Sequence, residues 1–192
     1  SSSEKWACGS SVARPKRTFA SPKHLSNRQS LNPSPEESVN SKIFREYDIR
    51  GIADRDLDSV TVDSIGRAIA TFLRHEGGKS IALGRDCRES SSRIHQALSH
   101  ALLSSGLDVL DIGLVPTPAL YFASLTLPVD GGIMITGSHN PADHNGFKIM
   151  VGKSTIYGED IQKLRHLAET RRFESGTGTL KARDVREDYV ST

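Results

Sequence analysis

Apolar residues along the body of the chain recur in two alternating rhythms. Val62, Ile65, Ile69 and Phe72/Leu73 fall every three or four positions, with Asp58 or Ser59 before them and Gly77-Gly78 after, which predicts a capped amphipathic helix. The run Ser80-Ile81-Ala82-Leu83-Gly84 predicts a short buried strand. Ile94, Ala97/Leu98 and Ala101/Leu102 mark a second helix, with Ser90 or Ser91 as its cap and Ser105-Gly106 as its end. Residues 109–112 alternate as the next strand. Thr117-Pro118 reads as a cap followed by proline at the first helical position, where a missing N–H costs nothing, and the helix so opened runs to about Leu125. A third strand over 131–136 is followed by a tight turn at Asn145-Gly146 and a strand over 147–151. A last helix from Glu159 to Thr170 sets Ile161, Leu164 and Leu167/Ala168 on one face. Strands alternating with helices predict an α/β fold: a mixed, mainly parallel sheet with helices on both faces.

Composition narrows the class. The 192 residues, 36% of them hydrophobic, suit one globular domain. No apolar stretch approaches the ~20 residues of a membrane span, so no membrane partner is expected. Two cysteines, Cys8 and Cys87, are too few for a disulfide scaffold. Residues 1–40 carry six basic and three acidic groups, and the other 152 residues carry 19 and 20. The positive charge therefore belongs to the tail, and the near-neutral body lacks the footprint of a nucleic-acid binder. The tail holds ten serines and four of the eight prolines with little apolar periodicity. Residues 1–40 are thus expected to be disordered and to act as a transit peptide. Serine density favours the chloroplast, with mitochondrion or cytoplasm as the alternatives.

The chemistry gathers after the third strand, where open α/β sheets place their reactive groups. Thr136-Gly137-Ser138-His139-Asn140-Pro141 sets a hydroxyl and an imidazole between a glycine that permits close approach and a stiffening proline. Lys148 follows ten residues after Ser138. Ser138 fits a nucleophile assisted by His139 or Lys148. Because adjacent side chains do not ordinarily point together, Lys148 is the better helper. The same string also fits turn chemistry alone, with Asn140-Pro141 initiating a loop. It lacks the Gly-x-Ser-x-Gly of a serine hydrolase, and the chain has no phosphate-cradling Gly-x-x-x-x-Gly-Lys.

The longer string Thr136-Gly137-Ser138-His139-Asn140-Pro141-Ala142-Asp143-His144-Asn145-Gly146-Phe147-Lys148 resembles the serine loop of the α-D-phosphohexomutases, in particular the phosphomannomutase/phosphoglucomutase group. Ile43-Phe44-Arg45-Glu46-Tyr47-Asp48-Ile49-Arg50-Gly51 is similar to that family's opening segment. Gly84-Arg85-Asp86-Cys87-Arg88-Glu89-Ser90-Ser91 is similar to its first strand-loop. The resemblance implies that Ser138 carries a transferable phosphoryl group and, through it, ligates Mg²⁺ together with aspartates of another domain. It implies interconversion of hexose 1-phosphates and 6-phosphates, with a hexose 1,6-bisphosphate as activator. Carried over residue by residue, Lys148 is the general acid/base, Arg50 assists near the phosphate, Tyr47 lies on the substrate side, and His139 supports the serine. Arg85, Asp86 and Arg88 are expected to be structural, as a charge-paired loop framing the site, and Cys87 a small polar substitute.

The resemblance covers the family's first domain only. The expected organisation is a tail over 1–40, the phosphoserine domain over 41–183, and over 184–192 the start of a link to a second domain. The metal loop, the sugar-reading loop and the phosphate clamp belong to further domains of the same protein. This stretch alone is therefore expected to be inactive, and the alternative is a non-catalytic isoform that binds a phosphosugar or a partner.

Overall fold

A computed structural model describes residues 39–191. The expected tail lies outside the described residues except for Val39 and Asn40, and these two are ordered. Val39 is buried, and the Asn40 side chain accepts from the Lys42 amide to cap a 3-10 turn, Ser41–Ile43. The folded body therefore begins before residue 41.

Seven strands and six helices follow: β1 Ile49–Ile52, α1 Ala53–Asp56, α2 Ser59–His75, β2 Ser80–Arg85, α3 Glu89–Ser104, β3 Asp108–Leu114, α4 Thr117–Thr126, β4 Gly131–Ile135, β5 His144–Val151, β6 Ser154–Thr155, α5 Glu159–Thr170, β7 Leu180–Ala182 and α6 Arg186–Val190. They build one mixed sheet in the order β1-β5-β4-β2-β3-β7, with β6 on β5. The run β4-β2-β3-β7 is parallel, while β5 lies antiparallel to β1, β4 and β6.

Side chains alternate across a strand, and here the alternation divides two cores. Ile81, Leu83, Ile133, Ile135, Phe147 and Ile149 point to the face covered by α2, α3 and α5. Ala82, Ile112 and Met134 point to the face covered by α4 and Val185. Asp58 caps α2 by accepting from the Thr61 amide at 2.7 Å. Val62, Ile65, Ile69 and Leu73 are buried as their spacing requires.

Three local expectations are corrected. Asn145-Gly146 is not a turn. Both residues lie inside β5, where Gly51 pairs with Asn145 and Arg50 with Gly146. Gly146 is glycine because β1 passes against it: a Cβ there would stand 2.2 Å from the Ile49 carbonyl oxygen. Asn145 is fully buried, and its amide donates to the Ser90 and Ser91 hydroxyls, each at 2.9 Å. Those two serines do not cap α3. The cap position is Arg88, and Ser91 instead donates to Asp86 at 2.6 Å. Thr117 is the first residue of α4 rather than its cap, which is Pro116 with no side-chain bond.

Candidate active site

The chain reverses between β4 and β5 through residues 137–143, and two polar side chains from the end of β2 determine its path. Arg88, with only 16% of its side chain exposed, donates to the carbonyls of Ser138 (3.0 Å), Asn140 (2.7 Å), His144 (3.0 Å) and Pro141. A guanidinium has five N–H groups in a rigid fork, and here it gathers one loop's carbonyls around itself. Its Nε lies 3.3 Å from Asp86 Oδ2.

Asp86 in turn accepts from Ser91 Oγ, from the Arg88 amide (3.1 Å) and from the Gly137 amide (3.3 Å). Burial pushes the Asp86 carboxyl up, but the bonds from Ser91, the Arg88 amide, Thr136 and the Gly137 amide outweigh it and hold it below the usual carboxylate range. Gly137 is dictated by the same clamp. A Cβ on it would lie 2.3 Å from Arg88 Cζ.

At the apex Ser138 is held at φ 51°, in the left-handed region that side chains rarely adopt. Its amide donates to Thr136 Oγ1 at 2.9 Å, and Asn140 closes the turn on the Gly137 carbonyl through its own amide (2.9 Å) and its side chain (2.8 Å). The Ser138 and His139 residues are exposed, and Ser138 Oγ lies 3.3 Å from His139 Nδ1. Adjacent side chains thus do point together here, against expectation, because the left-handed residue bends the chain between them.

The remaining candidates lie along the sheet. Lys148, half-buried in β5, pairs with Met134 of β4, and Arg50 of β1 pairs with Gly146 two residues before Lys148. That register places Arg50 and Lys148 on one sheet face, the face that carries Met134. Arg50 Nε lies 3.4 Å from Asp48 Oδ1. The Lys148 ammonium makes no hydrogen bond or ion pair among the described residues, to Ser138 or to any other group. Tyr47 is 68% exposed beside Tyr157, ring centroids 6.4 Å apart.

No group of three His, Cys, Asp or Glu side chains among the described residues could hold a metal ion. A Mg²⁺ at Ser138 would therefore find no ready-made cluster of three such side chains in this stretch. Asp86, the carboxylate beneath the loop, is already engaged by its own donors. Arg88 and Asp86 pair and frame the loop, as the sequence predicts, but the four carbonyl bonds and the role of Asn145 are not legible there. The Arg88 bonds run to main-chain carbonyls, which no side-chain pattern encodes, and the Asn-Gly pair reads locally as a turn.

The chain is similar to known proteins of one family. Residues 41–175 match the family model for phosphoglucomutase/phosphomannomutase, alpha/beta/alpha domain I. A phosphomannomutase/phosphoglucomutase of Pseudomonas aeruginosa is 42% identical over 149 residues, which are 78% of this chain and 32% of that protein. A phosphoglucomutase of Neisseria gonorrhoeae is 42% identical over 154 residues, 79% of this chain and 34% of that protein. Among solved structures, a phosphoglucomutase/phosphomannomutase family protein from Burkholderia thailandensis superposes with a TM-score of 0.77 at 42% identity, covering 80% of this chain and 35% of that one. The chain spans about a third of the length of the curated relatives it matches.

Proposed function

The chain belongs to the phosphoglucomutase/phosphomannomutase family through its domain I, and from that premise we propose that Ser138 is the phosphoryl carrier of a hexose-phosphate mutase. The observation that supports this reading is the clamp. An exposed hydroxyl stands at a strained apex whose backbone Arg88 and Asp86 hold from below. Such a residue is placed for chemistry at a cost in local conformational energy.

In the proposed step, phosphoserine 138 gives its phosphoryl group to a sugar hydroxyl. The bond from phosphorus to serine oxygen breaks as a bond to the sugar oxygen forms. The sugar's proton leaves to a base, and the freed Ser138 oxygen takes up a proton. Lys148 serves as general acid/base, and His139, 3.3 Å from Oγ, supports the serine. Arg50 meets the charge of the transferring group, and Tyr47 borders the sugar. Phosphoryl transfer depends mainly on alignment and charge neutralisation, and Mg²⁺, when bound to the serine phosphate, would supply further neutralisation. The bound bisphosphate then returns its other phosphate to Ser138, and added hexose 1,6-bisphosphate activates the enzyme by phosphorylating the serine.

Peptide mapping of the longer gene product by mass spectrometry tests the carrier. Phosphate on Ser138, and loss of mutase activity in Ser138→Ala, are expected. An active Ser138→Ala protein would refute the reading. The 192-residue chain alone is expected to show background mutase activity, since it spans about a third of its relatives. The alternative, a non-catalytic binder of phosphosugars or of a partner, predicts an unphosphorylated Ser138 in the folded longer product. The Ser-rich tail is proposed to direct the chain to the chloroplast, and a fluorescent fusion of residues 1–40 that stays cytoplasmic would overturn this.

A further inference from the structure

Beside the serine loop, but not including its hydroxyl, lies a cavity of 380 Å³ between the 3-10 turn, β1, α1 and the loop. Pockets for small molecules begin near about 300 Å³, so the space admits a phosphorylated metabolite as well as a bare anion. Four cations line it, Lys42, Arg45, Arg50 and Arg55, against a single carboxylate, Asp56.

The carboxylate is consumed. Asp56 Oδ1 accepts from Arg55 Nε (2.9 Å) and Asn40 Nδ2 (3.3 Å), and Oδ2 accepts from Arg55 Nη2 (2.8 Å) and the Ile52 amide (2.9 Å). Lys42 and Arg45 have no hydrogen-bond acceptor or carboxylate for their charged groups among the described residues. Both stand on fixed backbone, since the Lys42 amide donates to Asn40 Oδ1 (3.1 Å) and the Arg45 amide to the Asp48 carbonyl (2.9 Å). Asn140 and His144 also line it, and their carbonyls are among those Arg88 holds.

We propose that this cavity binds a phosphate group, free or carried on a small molecule, through Lys42 and Arg45, at a site separate from the Ser138 hydroxyl. A dianion matches the two unpaired cations, and charge-assisted bonds to lysine and arginine are the strong ones for phosphate. Arg50 borders the cavity and completes the cationic rim. Occupancy would add a second contact to the serine loop at Asn140 and His144, beside those Arg88 makes. The inference does not depend on phosphoryl transfer by Ser138, so either can fail alone.

Titration of the 192-residue chain with inorganic phosphate, and separately with glucose 6-phosphate, read by amide shifts in NMR, tests it. Saturable shifts at residues 40–45 and 140–144 are expected by about 10 mM. The double variant Lys42→Gln/Arg45→Gln should weaken binding at least about tenfold, the effect of losing one good charged contact, while Ser138→Ala binds unchanged. Both substituted residues are exposed, and an unchanged thermal midpoint confirms that the fold is kept. Tighter binding of the ester than of phosphate identifies a phosphorylated metabolite as the occupant, and equal binding identifies free phosphate. Binding that survives the double variant, binding that disappears in Ser138→Ala, or no saturation overturns the proposal.

Discussion

Placing a methyl group on Gly137 tests the clamp directly. The three atoms nearest to such a Cβ all belong to Arg88: Cζ at 2.3 Å, Nε at 2.5 Å and Nη1 at 2.7 Å. An arginine tip is usually free to swing away, but this one is tied to four carbonyls and to Asp86. Moving it far enough to admit the methyl breaks part of that set. Charged hydrogen bonds contribute about 1.5–3 kcal/mol each. Water replaces some of the loss at the loop surface, so Gly137→Ala should cost about 2–3 kcal/mol, within the range of other overpacking changes. For a domain of this size that is a fall of roughly 5–10 °C in Tm. Arg88→Ala should cost about 3 kcal/mol by leaving the carbonyls and Asp86 without their cation. The decisive quantity is the coupling. Once Arg88 has been truncated, the methyl added at Gly137 meets open space and should cost less than about 0.5 kcal/mol more, giving an interaction energy near 2 kcal/mol. Urea unfolding of the four proteins, followed by far-UV circular dichroism, measures it. Additive single costs would show that Gly137 is required for another reason and that the clamp argument is wrong.

Four further outcomes are expected. The Arg55 hydrogen bonds, opposed by burial and aided by the Ile52 amide, the Arg55 charge and Asn40, hold the Asp56 carboxyl down to about 2. Its unfolded value is about 3.9, so its contribution is complete above pH 4 and is lost as pH falls from about 4 to 2. Asp56→Asn should flatten that limb of the stability profile by on the order of 1 kcal/mol, since Arg55 is 68% exposed and screened; equal slopes in urea midpoints measured from pH 5 to 2 would count against it. Ser138→Gly should abolish phosphorylation yet raise stability by about 0.5–1 kcal/mol by relieving the left-handed backbone, and an unchanged or lower Tm contradicts the strain argument. Gly66→Ala sets helix propensity, a gain of about 1 kcal/mol, against a Cβ 2.6 Å from Ala101 Cβ and 3.1 Å from Leu98 Cδ1 where α2 crosses α3. The contact should win, with a net loss of about 1–2 kcal/mol by thermal unfolding. Leu98→Ala, fully buried in the larger core, should cost about 2–5 kcal/mol, and a smaller loss would mean that the site collapses around the missing atoms.

Much of the scaffold was legible along the chain. The helical spacing of Val62, Ile65, Ile69 and Leu73 and the Asp58 cap are local properties, since a helix presents one face through its own period and satisfies its first amides from its own sequence. The buried runs of β2 and β4 were equally plain, as was the loop bearing Ser138. Legibility ended where a residue's reason lay on another strand. Asn145-Gly146 reads as a turn until β1 is laid beside it, when Gly146 becomes the point of closest approach and Asn145 the buried tie to Ser90 and Ser91. Strand β1, four residues long, and β7, three exposed residues, have too little pattern to predict. Ser90 and Ser91 likewise resemble caps until Asp86 and Asn145 claim their hydroxyls.

The amino-acid order by itself determined which side chains carry reactive groups and where the longer helices and the buried strands run, because propensity and periodicity act over a few neighbours. Only the tertiary structure decided how those groups meet. Arg88 reaches main-chain carbonyls some fifty positions away, and a carbonyl is the same atom whatever residue bears it. Lys42 and Arg45 line one cavity with Asn140 and His144 because β1 pairs with β5, a long-range choice made by the burial of whole faces.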